Sequence, residues 1–159
     1  MNNILDLKFN ELEYYLESIN EKKYIAAIIF EWLYKKKCLT FLEMTNLSLD
    51  LRYRLANEFK IGYLKVKSKQ IGHDSVKYLY ELDDGNLIET VLMKHDYGNS
   101  ICVSSQIGCD MACSFCASGK LKKIRDLTTG EIVSQVLTMV KEEDIKLDSV
   151  VIMGIGEPL

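Results

Sequence analysis

The amino-acid sequence predicts an α/β fold: a small N-terminal helical domain, a β-hairpin connector and then a βαβ unit. Apolar residues recur at helical spacing through residues 1–60. Two apolar runs then flank Asp83-Asp84-Gly85, a turn signal for a hairpin. A strand at 100–104, a helix at 129–142 and a strand at 148–153 follow, an order that predicts a βαβ unit. We place the domains at 1–60, 61–94 and 95–159.

The composition excludes several classes of protein. Of the 159 residues, 48% are hydrophobic and 27% are charged, as in ordinary globular domains. No apolar run reaches the ~18–20 residues of a membrane span. Acidic residues interrupt the first apolar stretch, so no signal peptide is predicted. The net charge of −3 excludes a polybasic protein, although local basic patches remain possible. We therefore predict a cytoplasmic protein without a membrane segment.

Local signals place the helices of the first domain. The first helix is predicted to start near Asn10, and Asn20 is predicted to cap a second helix. Thr40 and Glu43 form a T-x-x-E capping box, and Ser48 can cap a further helix. The apolar stripes of these helices are Leu5, Phe9, Leu12, Leu16 and Ile19; Ile25, Ile28, Ile29, Trp32 and Leu33; and Leu51, Leu55 and Phe59. The sequence thus predicts a small all-α module.

The C-terminal part begins a repeating pattern. Thr128 and Glu131 form a second capping box in front of the amphipathic helix. The run SVVIMG is nearly all apolar, which is typical of a buried parallel strand. Two parallel strands and one helix cannot close a barrel. We therefore expect the chain to be the N-terminal portion of a longer protein.

Cysteine usage indicates reduced thiols. The five cysteines are Cys38, Cys102, Cys109, Cys113 and Cys116. An odd number, no export signal and four thiols within fifteen residues argue against a disulfide framework. Cys38 lies near Trp32 and Leu33 in an apolar helix, which predicts a packed core thiol.

The spacing C-x3-C-x2-C at 109–116 favours an inorganic centre. Three thiolates can hold a four-iron cluster and leave one iron open for a small-molecule ligand. Phe115 would supply an apolar wall beside it. A zinc site and reduced structural thiols remain alternatives, although no second ligand pair follows. His73 and His95 are single, which favours loop or surface positions over ligation.

Longer motifs carry a family resemblance. C-x3-C-x-Phe-C followed by Gly156-Glu157-Pro158 resembles the radical S-adenosylmethionine (SAM) superfamily. CVSSQIGCDMACSFCASGK, RDLTTGEIVSQV and MGIGEPL resemble the RlmN/Cfr family of radical-SAM adenine methyltransferases that act on 23S ribosomal RNA. FEWLYKKKCLTFLEMTNLS and ELDDGNLIETVLMK extend the resemblance upstream, so that it covers nearly the whole chain. The resemblance implies that the βαβ unit is the first part of an incomplete radical-SAM (β/α) barrel.

The resemblance implies two cofactors and their ligands. Cys109, Cys113 and Cys116 would ligate a 4Fe–4S cluster, whose open iron would hold SAM by its amine and carboxylate. Gly156 and Glu157 match positions that bind SAM. Physically, the glycine allows close approach of the backbone, and the carboxylate can accept a hydrogen bond from the ammonium group.

The resemblance also implies two catalytic residues. Cys102 matches the cysteine that resolves a covalent enzyme–RNA intermediate by forming a disulfide with a methyl-carrying cysteine near the family's C-terminus. Glu89 matches the proposed proton acceptor. By pattern alone, Glu89 is a solvated strand residue and Cys102 a buried strand cysteine. Carbon 2 of adenine is favoured over carbon 8, and the carbon 2 branch also modifies transfer RNA. An external electron donor and a monomeric state are further expectations.

The chain departs from the family in three ways. Ile155 replaces the usual methionine and Asp126 a common asparagine, both minor changes. The larger departure is length, because the methyl-carrying cysteine is absent. We expect the chain alone to be inactive; the alternatives are a cluster-carrying or RNA-binding fragment and a zinc module. The candidate phosphate contacts, which could equally form a solvated face, are Lys35, Lys36, Lys37, Lys120, Lys122, Lys123 and Arg125.

Overall fold

The computed structural model describes residues 1–111 and 113–158. The chain divides into two compact units, Met1–Tyr63 and Leu64–Leu159. The first unit is mainly helical, and the second is a mixed sheet with one long helix. The predicted α/β class is therefore confirmed.

The N-terminal unit contains three α-helices. They are α1 (Phe9–Ser18), α2 (Ile25–Phe30) and α3 (Leu49–Glu58). A π-helical turn, Glu31–Lys35, continues α2, and 3-10 turns lie at Ile4–Asp6 and Phe41–Glu43. Two short strands, β1 (Asn2–Asn3) and β2 (Phe59–Lys60), pair in parallel. The prediction of an all-α module missed this pair, because two-residue strands carry no readable period.

The prediction that Asn20 caps the second helix is wrong. Asn20 follows the end of α1 with a φ of 61°. Its N–H donates to the Glu17 carbonyl at 3.0 Å, and the Glu21 N–H donates to the Leu16 carbonyl at 2.8 Å. These two bonds form a Schellman motif, in which asparagine tolerates the left-handed position. Asparagine suits either end of a helix, and here it terminates α1.

Two other local predictions for this unit hold. The Ser48 hydroxyl accepts from the Leu51 N–H at 3.3 Å and caps α3. The Thr40 N–H donates to Glu43 Oε1 at 2.8 Å, although this capping box starts only a three-residue 3-10 turn. Both signals are local, so they could be recognised without knowledge of the fold.

Cys38 is a core thiol, as predicted. It is 2% exposed and forms no disulfide. Burial raises the pKa of the Cys38 thiol to about 11, and the charge of Glu43 adds to the effect. Cys38 is therefore protonated at neutral pH and is not a thiolate ligand. The stripe of α1 is less complete than predicted, because Phe9 is exposed while Leu12 and Leu16 are buried.

The second unit is built on a five-stranded sheet and one helix. Its sheet has the order β3-β4-β5-β6-β9, and a two-stranded ribbon pairs β7 with β8. The elements are β3 (Lys65–Ile71), β4 (Ser75–Glu81), β5 (Leu87–His95), β6 (Gly98–Cys102), β7 (Gln106–Ile107), β8 (Arg125–Asp126), α4 (Thr129–Glu143) and β9 (Ser149–Val151).

The predicted βαβ unit is confirmed. Strands β6 and β9 pair in parallel, with Cys102 opposite Val151, and α4 connects them. The Thr128–Glu131 capping box starts α4, since each residue's side chain accepts from the other's N–H. The strands on either side of Asp83-Asp84-Gly85 form the predicted hairpin and continue the same sheet.

The two faces of the sheet differ. On one face, apolar side chains of β4, β5 and β6 pack in a core with Met139 and Val140 of α4. The core residues of these strands are Val76, Tyr78, Tyr80, Ile88, Leu92 and Ile101. On the other face, the half-buried residues of these strands include Lys77, Leu79, Glu81, Glu89, Val91 and Cys102. The predicted catalytic residues therefore lie on the face opposite α4.

The prediction that the last strand is buried is wrong. Val150 in β9 is 45% exposed, and the following Ile152 and Met153 are more exposed still. β9 is the outer strand of the sheet within residues 1–111 and 113–158. An apolar run predicts a strand, but burial depends on what packs over it.

A polar cluster ties the end of α4 to the sheet. Tyr78 Oη donates to Glu143 Oε1 at 2.6 Å, and Lys69 Nζ lies 2.6 Å from the same oxygen. Lys94 Nζ lies 3.9 Å from Glu143 Oε2. Burial alone would raise the pKa of Glu143, but the hydrogen bonds from Lys69 and Tyr78 outweigh burial and lower it. Glu143 is therefore ionised in the folded protein at neutral pH.

We expect Glu143→Gln to lower the free energy of unfolding by about 1–2 kcal/mol at pH 7, because charge-assisted hydrogen bonds are lost. A carboxyl whose folded pKa is lowered stabilises the fold above its unfolded pKa, roughly 4.3 for Glu, and this stabilisation disappears as pH falls through the folded pKa. The difference from wild type should therefore close on acidification. Urea unfolding from pH 7 to pH 3 measures it, with exposed Glu142→Gln as control. A difference independent of pH would contradict this account.

Candidate functional site

The predicted site segments meet at one edge of the sheet. Parallel strands present their carboxyl ends at the same edge, where α/β proteins bind ligands. β6 ends at Cys102 and leads to the cysteine loop, whereas β9 ends at Val151 and leads to the Gly156-Glu157-Pro158 turn. The fold therefore brings together two segments that are about forty residues apart in the sequence.

Backbone hydrogen bonds join these segments beyond the strands. The Val103 N–H donates to the Val151 carbonyl at 2.9 Å, and the Gly154 N–H donates to the Val103 carbonyl at 2.9 Å. The Ser105 N–H donates to the Ile155 carbonyl at 2.9 Å. Residues 103–106 are thus hydrogen-bonded along the segment that follows β9.

Two glycines allow this close approach. A Cβ on Gly154 would lie 2.7 Å from the Val103 carbonyl oxygen. Gly156 has a φ of +112°, and its Cβ would lie 2.6 Å from Gln106 Cβ. Larger residues would have to displace the turn. Gly156 therefore has a structural reason to be glycine beside the role that the resemblance implies.

Ser104 and Gln135 were missed by sequence reasoning. The buried Gln135 amide accepts from the Ser104 N–H at 2.8 Å and donates to the Ser104 carbonyl at 2.9 Å. Ser104 Oγ donates to the Glu89 carbonyl at 2.7 Å and accepts from the Ile155 N–H at 3.0 Å. The one available signal was a glutamine within the apolar stripe of α4. Ser104 thus connects β5, α4 and the segment after β9.

Gln106 makes a similar pair of bonds to the Gly-Glu-Pro turn. Its Oε1 accepts from the Glu157 N–H at 3.0 Å, and its Nε2 donates to the Glu157 carbonyl at 3.0 Å. Nε2 also donates to Asp126 Oδ1 at 2.8 Å. A pocket of about 200 Å³ lies here, lined by Gln106, Asp110, Met111, Lys123 and Glu157. The turn and the start of the cysteine loop therefore share one pocket.

Backbone hydrogen bonds join the two ends of the cysteine loop. The Cys109 N–H donates to the Leu121 carbonyl at 2.8 Å, and the Ile124 N–H donates to the Ile107 carbonyl at 2.7 Å. Gly108 has a φ of +74°, and a Cβ there would overlap the Lys122 carbonyl. The base of the loop is therefore fixed by backbone contacts.

The three motif cysteines share this loop. Cys109 and Cys116 are half-buried, Cys113 is exposed, and all three are free thiols. The Cys116 N–H donates to the Cys113 carbonyl at 3.0 Å, which closes a turn between them. Within residues 1–111 and 113–158, no three His, Cys, Asp or Glu side chains are grouped as metal ligands. Ala112 of the motif and Leu159 of MGIGEPL lie outside the described residues.

The donor set nevertheless suits iron. Three free thiols in one loop match the soft ligands of an iron–sulfur cluster. Phe115, the predicted apolar wall, is 91% exposed. The pocket shared by Asp110, Met111 and Glu157 gives a ligand of the open iron a place beside the turn. The residues present therefore fit both implied cofactors.

Glu89 and Cys102 lie on the same face of the sheet. Val91 is directly opposite Cys102, and Glu89 lies two residues before Val91 on β5. This makes Glu89 a diagonal neighbour of Cys102, a relation that corresponds to about 7–8 Å between Cα atoms. Glu89 Oε1 lies 3.1 Å from Lys77 Nζ, with both side chains half-exposed. The two residues are close enough to serve one substrate.

The basic residues after the loop are not all available for phosphate. Arg125 donates to Asp84 and Glu131, with the shortest distance 2.6 Å, and Lys123 Nζ lies 2.8 Å from Asp126 Oδ1. Both side chains are therefore held by carboxylates in the folded chain. Lys120 and Lys122 are exposed.

Lys36, His73 and His95 lie at the surface. Lys36 Nζ lies 3.9 Å from the Trp32 ring centroid and 3.9 Å from Glu31 Oε1. His73 pairs with Asp74 at 2.6 Å, and His95 stacks on Tyr97 with ring centroids 4.7 Å apart. The histidines thus have surface partners, as the sequence predicted.

Comparisons with known proteins agree on one family. Residues 2–61 match the ribosomal RNA large subunit methyltransferase N-terminal domain, RlmN_N. The chain is 48% identical over 156 residues to a probable dual-specificity RNA methyltransferase RlmN of Acholeplasma laidlawii, covering 98% of this chain and 46% of the relative. It is 50% identical over 161 residues to the Bacillus subtilis relative of the same description, covering 98% and 44%.

A solved structure also matches. The crystal structure of a radical SAM methyltransferase from Sphaerobacter thermophilus superposes with a TM-score of 0.90 at 36% identity, covering 99% of this chain and 48% of that one. The chain spans about half the length of the curated relatives it matches. Among the described residues, no helix has the length and apolarity to cross a membrane.

The fold and the sequence motifs resemble the same group of proteins. The fold is that of a partial radical-SAM methyltransferase core. The resemblance to the RlmN family, stated from the motifs, is confirmed by the domain match at 2–61 and by relatives that are similar along 98% of the chain.

Proposed function

We propose that this chain is the N-terminal part of a radical-SAM RNA methyltransferase that methylates carbon 2 of adenine in 23S ribosomal RNA and in transfer RNA. The structural observation that carries the proposal is the pocket shared by the cysteine loop and the Gly-Glu-Pro turn at the edge where β6 and β9 end. The names of the relatives support RNA as the substrate.

The cofactor ligands are the residues at this edge. Cys109, Cys113 and Cys116 hold the 4Fe–4S cluster, and Gly156 and Glu157 hold SAM next to it. When bound, these groups supply the radical chemistry that an electron-poor ring carbon requires. The protein orients the reactants, because Ser104 and Gln106 fix the turn relative to β5 and β6.

Glu89 and Cys102 act on the RNA in this proposal. The Glu89 carboxylate accepts the proton that leaves the ring carbon, which restores aromaticity. The Cys102 sulfur, losing its proton, attacks the sulfur of the methyl-carrying cysteine and forms a disulfide. The bond from that second sulfur to the RNA-linked carbon breaks, and this carbon takes up a proton from solvent to become the methyl group of the released RNA. Their neighbouring positions on one face suit consecutive steps on one adduct.

The remaining partners follow from this chemistry. The cluster needs an external electron donor, and we place the protein in the cytoplasm as a monomer. Lys120 and Lys122, exposed on the cysteine loop, are the basic residues we assign to the RNA backbone.

A chimera tests the proposal. The matching segment of the Bacillus subtilis relative is replaced by this chain, and the product is assayed with RNA, SAM and reductant. We expect 2-methyladenosine by nucleoside mass spectrometry. Cys102→Ala should accumulate a covalent RNA–protein adduct on denaturing gels. Glu89→Gln should lower turnover by about 10²–10⁴-fold, the usual contribution of a general base.

The controls separate chemistry from folding. Glu81 lies on the same face, pairs with Lys65 and Lys67, and its Gln variant should retain activity. Cys38→Ala should form no adduct. 8-Methyladenosine as the product would assign the chain to the carbon 8 branch. A folded, cluster-bearing chimera without methylation would contradict the proposal.

The second candidate is a fragment that carries a cluster or binds RNA without turnover. The observation that favours it for the 159-residue chain alone is its coverage of about half of each relative. Iron, SAM and RNA binding by the purified chain without any methylated adenosine would support this reading. Methylation by the 159-residue chain itself would exclude it.

A further inference from the structure

The strongest unexplained feature near the site is the buried carboxamide of Gln106. It is 6% exposed, and its oxygen and nitrogen form three hydrogen bonds of 2.8–3.0 Å. Two of them go to the N–H and the carbonyl of a single residue, Glu157. This is the pattern by which a neighbouring strand would hold that residue. The third bond goes to Asp126 on β8.

These bonds bear directly on the position of the Gly-Glu-Pro turn. The Gln106 N–H also donates to the Ile155 carbonyl at 3.1 Å, and Gly156 packs against the Gln106 side chain. Gln106 therefore contacts Ile155 by its backbone, Gly156 by its methylenes and Glu157 by its amide, which are the residue before the turn and the first two residues of the turn. Asp126 in turn accepts from Gln106 and pairs with Lys123, which prevents rotation of the amide.

We propose that Gln106 is the positioning residue that sets the Gly-Glu-Pro turn for SAM, an inference that rests on the proposed function. The Glu157 side chain is exposed and borders the pocket, whereas its backbone is held by the Gln106 amide. Because both the N–H and the carbonyl of Glu157 are held, its backbone has one fixed orientation. The Glu157 carboxylate can therefore accept a hydrogen bond from the ammonium group of SAM from a defined position. Without the amide, the turn has lost the side chain that orients it.

The amide geometry explains why a glutamine is required. An apolar side chain of the same length removes the hydrogen bonds of Gln106 to the Glu157 N–H and carbonyl, and leaves Asp126 Oδ1 paired with Lys123 alone. A glutamate retains an acceptor for the Glu157 N–H but loses both donor bonds and faces the Asp126 carboxylate. We therefore expect Gln106→Met and Gln106→Glu to impair the turn, whereas the cysteine loop keeps its own backbone base.

The test measures SAM binding by equilibrium dialysis on the anaerobically reconstituted chain. Gln106→Met and Gln106→Glu should each weaken SAM binding by at least about tenfold, the scale of lost outer-sphere support at ligand sites, with iron content unchanged. Cys38→Ala is the buried control, because that thiol lies in the core of the N-terminal unit. Gln70→Met is the exposed control. Both controls should stay within about twofold of wild type by the same standard.

The outcomes distinguish the two hypotheses. A wild-type chain that binds iron and SAM, together with Gln106 variants that bind both equally well, overturns the inference alone. Loss of iron in step with loss of SAM also overturns it, because Gln106 would then support the loop rather than the turn. A wild-type chain that binds neither iron nor SAM overturns the proposed function itself. The Glu variant preserves side-chain size, so it remains informative should the Met variant misfold.

Discussion

Cys113→Ala is expected to lower the iron content of the reconstituted chain by at least about tenfold, because a site with three protein thiolates has no substitute ligand. Wild type should bind about four iron and four sulfide per chain. Cys113 is the most informative of the three, since its side chain is exposed and its removal leaves the core intact. Anaerobic iron and sulfide analysis, with the visible absorbance of the cluster, measures the change.

Cys38→Ala is the matched control for this experiment. Its thiol is buried and protonated, so the variant should retain full iron content even if it is less stable. One zinc and no iron in wild type would favour the zinc module. Equal iron in wild type and Cys113→Ala would remove the three-thiolate site from consideration.

Arg125→Ala is expected to lower the free energy of unfolding by about 2 kcal/mol, because a fully hydrogen-bonded guanidinium is removed and two carboxylates are left unpaired. The guanidinium makes five hydrogen bonds of 2.6–3.0 Å to Asp84, Glu131 and the Asp126 carbonyl. These partners belong to the hairpin turn, the start of α4 and β8. The loss corresponds to a fall of roughly 10 °C in the melting temperature of a domain of this size.

Arg125→Lys should lose more than half of the same free energy, since an ammonium group cannot reproduce the planar fork. Arg54→Ala is the contrasting control, because Arg54 forms an i,i+4 ion pair with Glu58 on an exposed helix face and should contribute under about 0.5 kcal/mol. Urea unfolding followed by circular dichroism measures all three variants. If Arg125→Ala lowers the free energy of unfolding no more than Arg54→Ala does, the stabilising role of the Arg125 hydrogen bonds is contradicted.

The pH dependence of stability provides a second test of the Arg125 interactions with Asp84 and Glu131. Burial alone would raise the pKa values of Asp84 and Glu131, but hydrogen bonds from Arg125, together with backbone hydrogen bonds from Asn86 and Thr128, lower both. Each carboxylate therefore stabilises the fold above its unfolded pKa, roughly 4, and this contribution disappears as pH falls through the lowered folded value. The stability gap between wild type and Arg125→Ala should narrow below about pH 4.

Sequence signals were sufficient where chemistry is local. The capping boxes at Thr40 and Thr128 and the turn at Gly85 depend on residues within four positions of one another. The spacing of Cys109, Cys113 and Cys116 likewise implied one loop. Asn20 was assigned to the wrong helix end, because asparagine serves at both termini and only the backbone angle distinguishes them.

Long-range pairing could not be derived from the sequence. Gln106 meets Glu157 and Gln135 meets Ser104 only after α4 has returned the chain to β6. Arg125 was grouped with the free basic residues, because nothing in its neighbourhood shows that Asp84 folds back onto it. The exposure of Val150 similarly depends on what covers the outer strand rather than on its own composition.

The hydroxyl of Ser104 has a wider significance. It donates to the backbone carbonyl of Glu89 and accepts from the Ile155 N–H, which precedes the Gly-Glu-Pro turn. Strand β5 and this turn are therefore connected through one side-chain oxygen. A disturbance at either of them is transmitted through this single oxygen atom. A substitution of that serine should therefore disturb the strand that carries Glu89 and the Gly-Glu-Pro turn together.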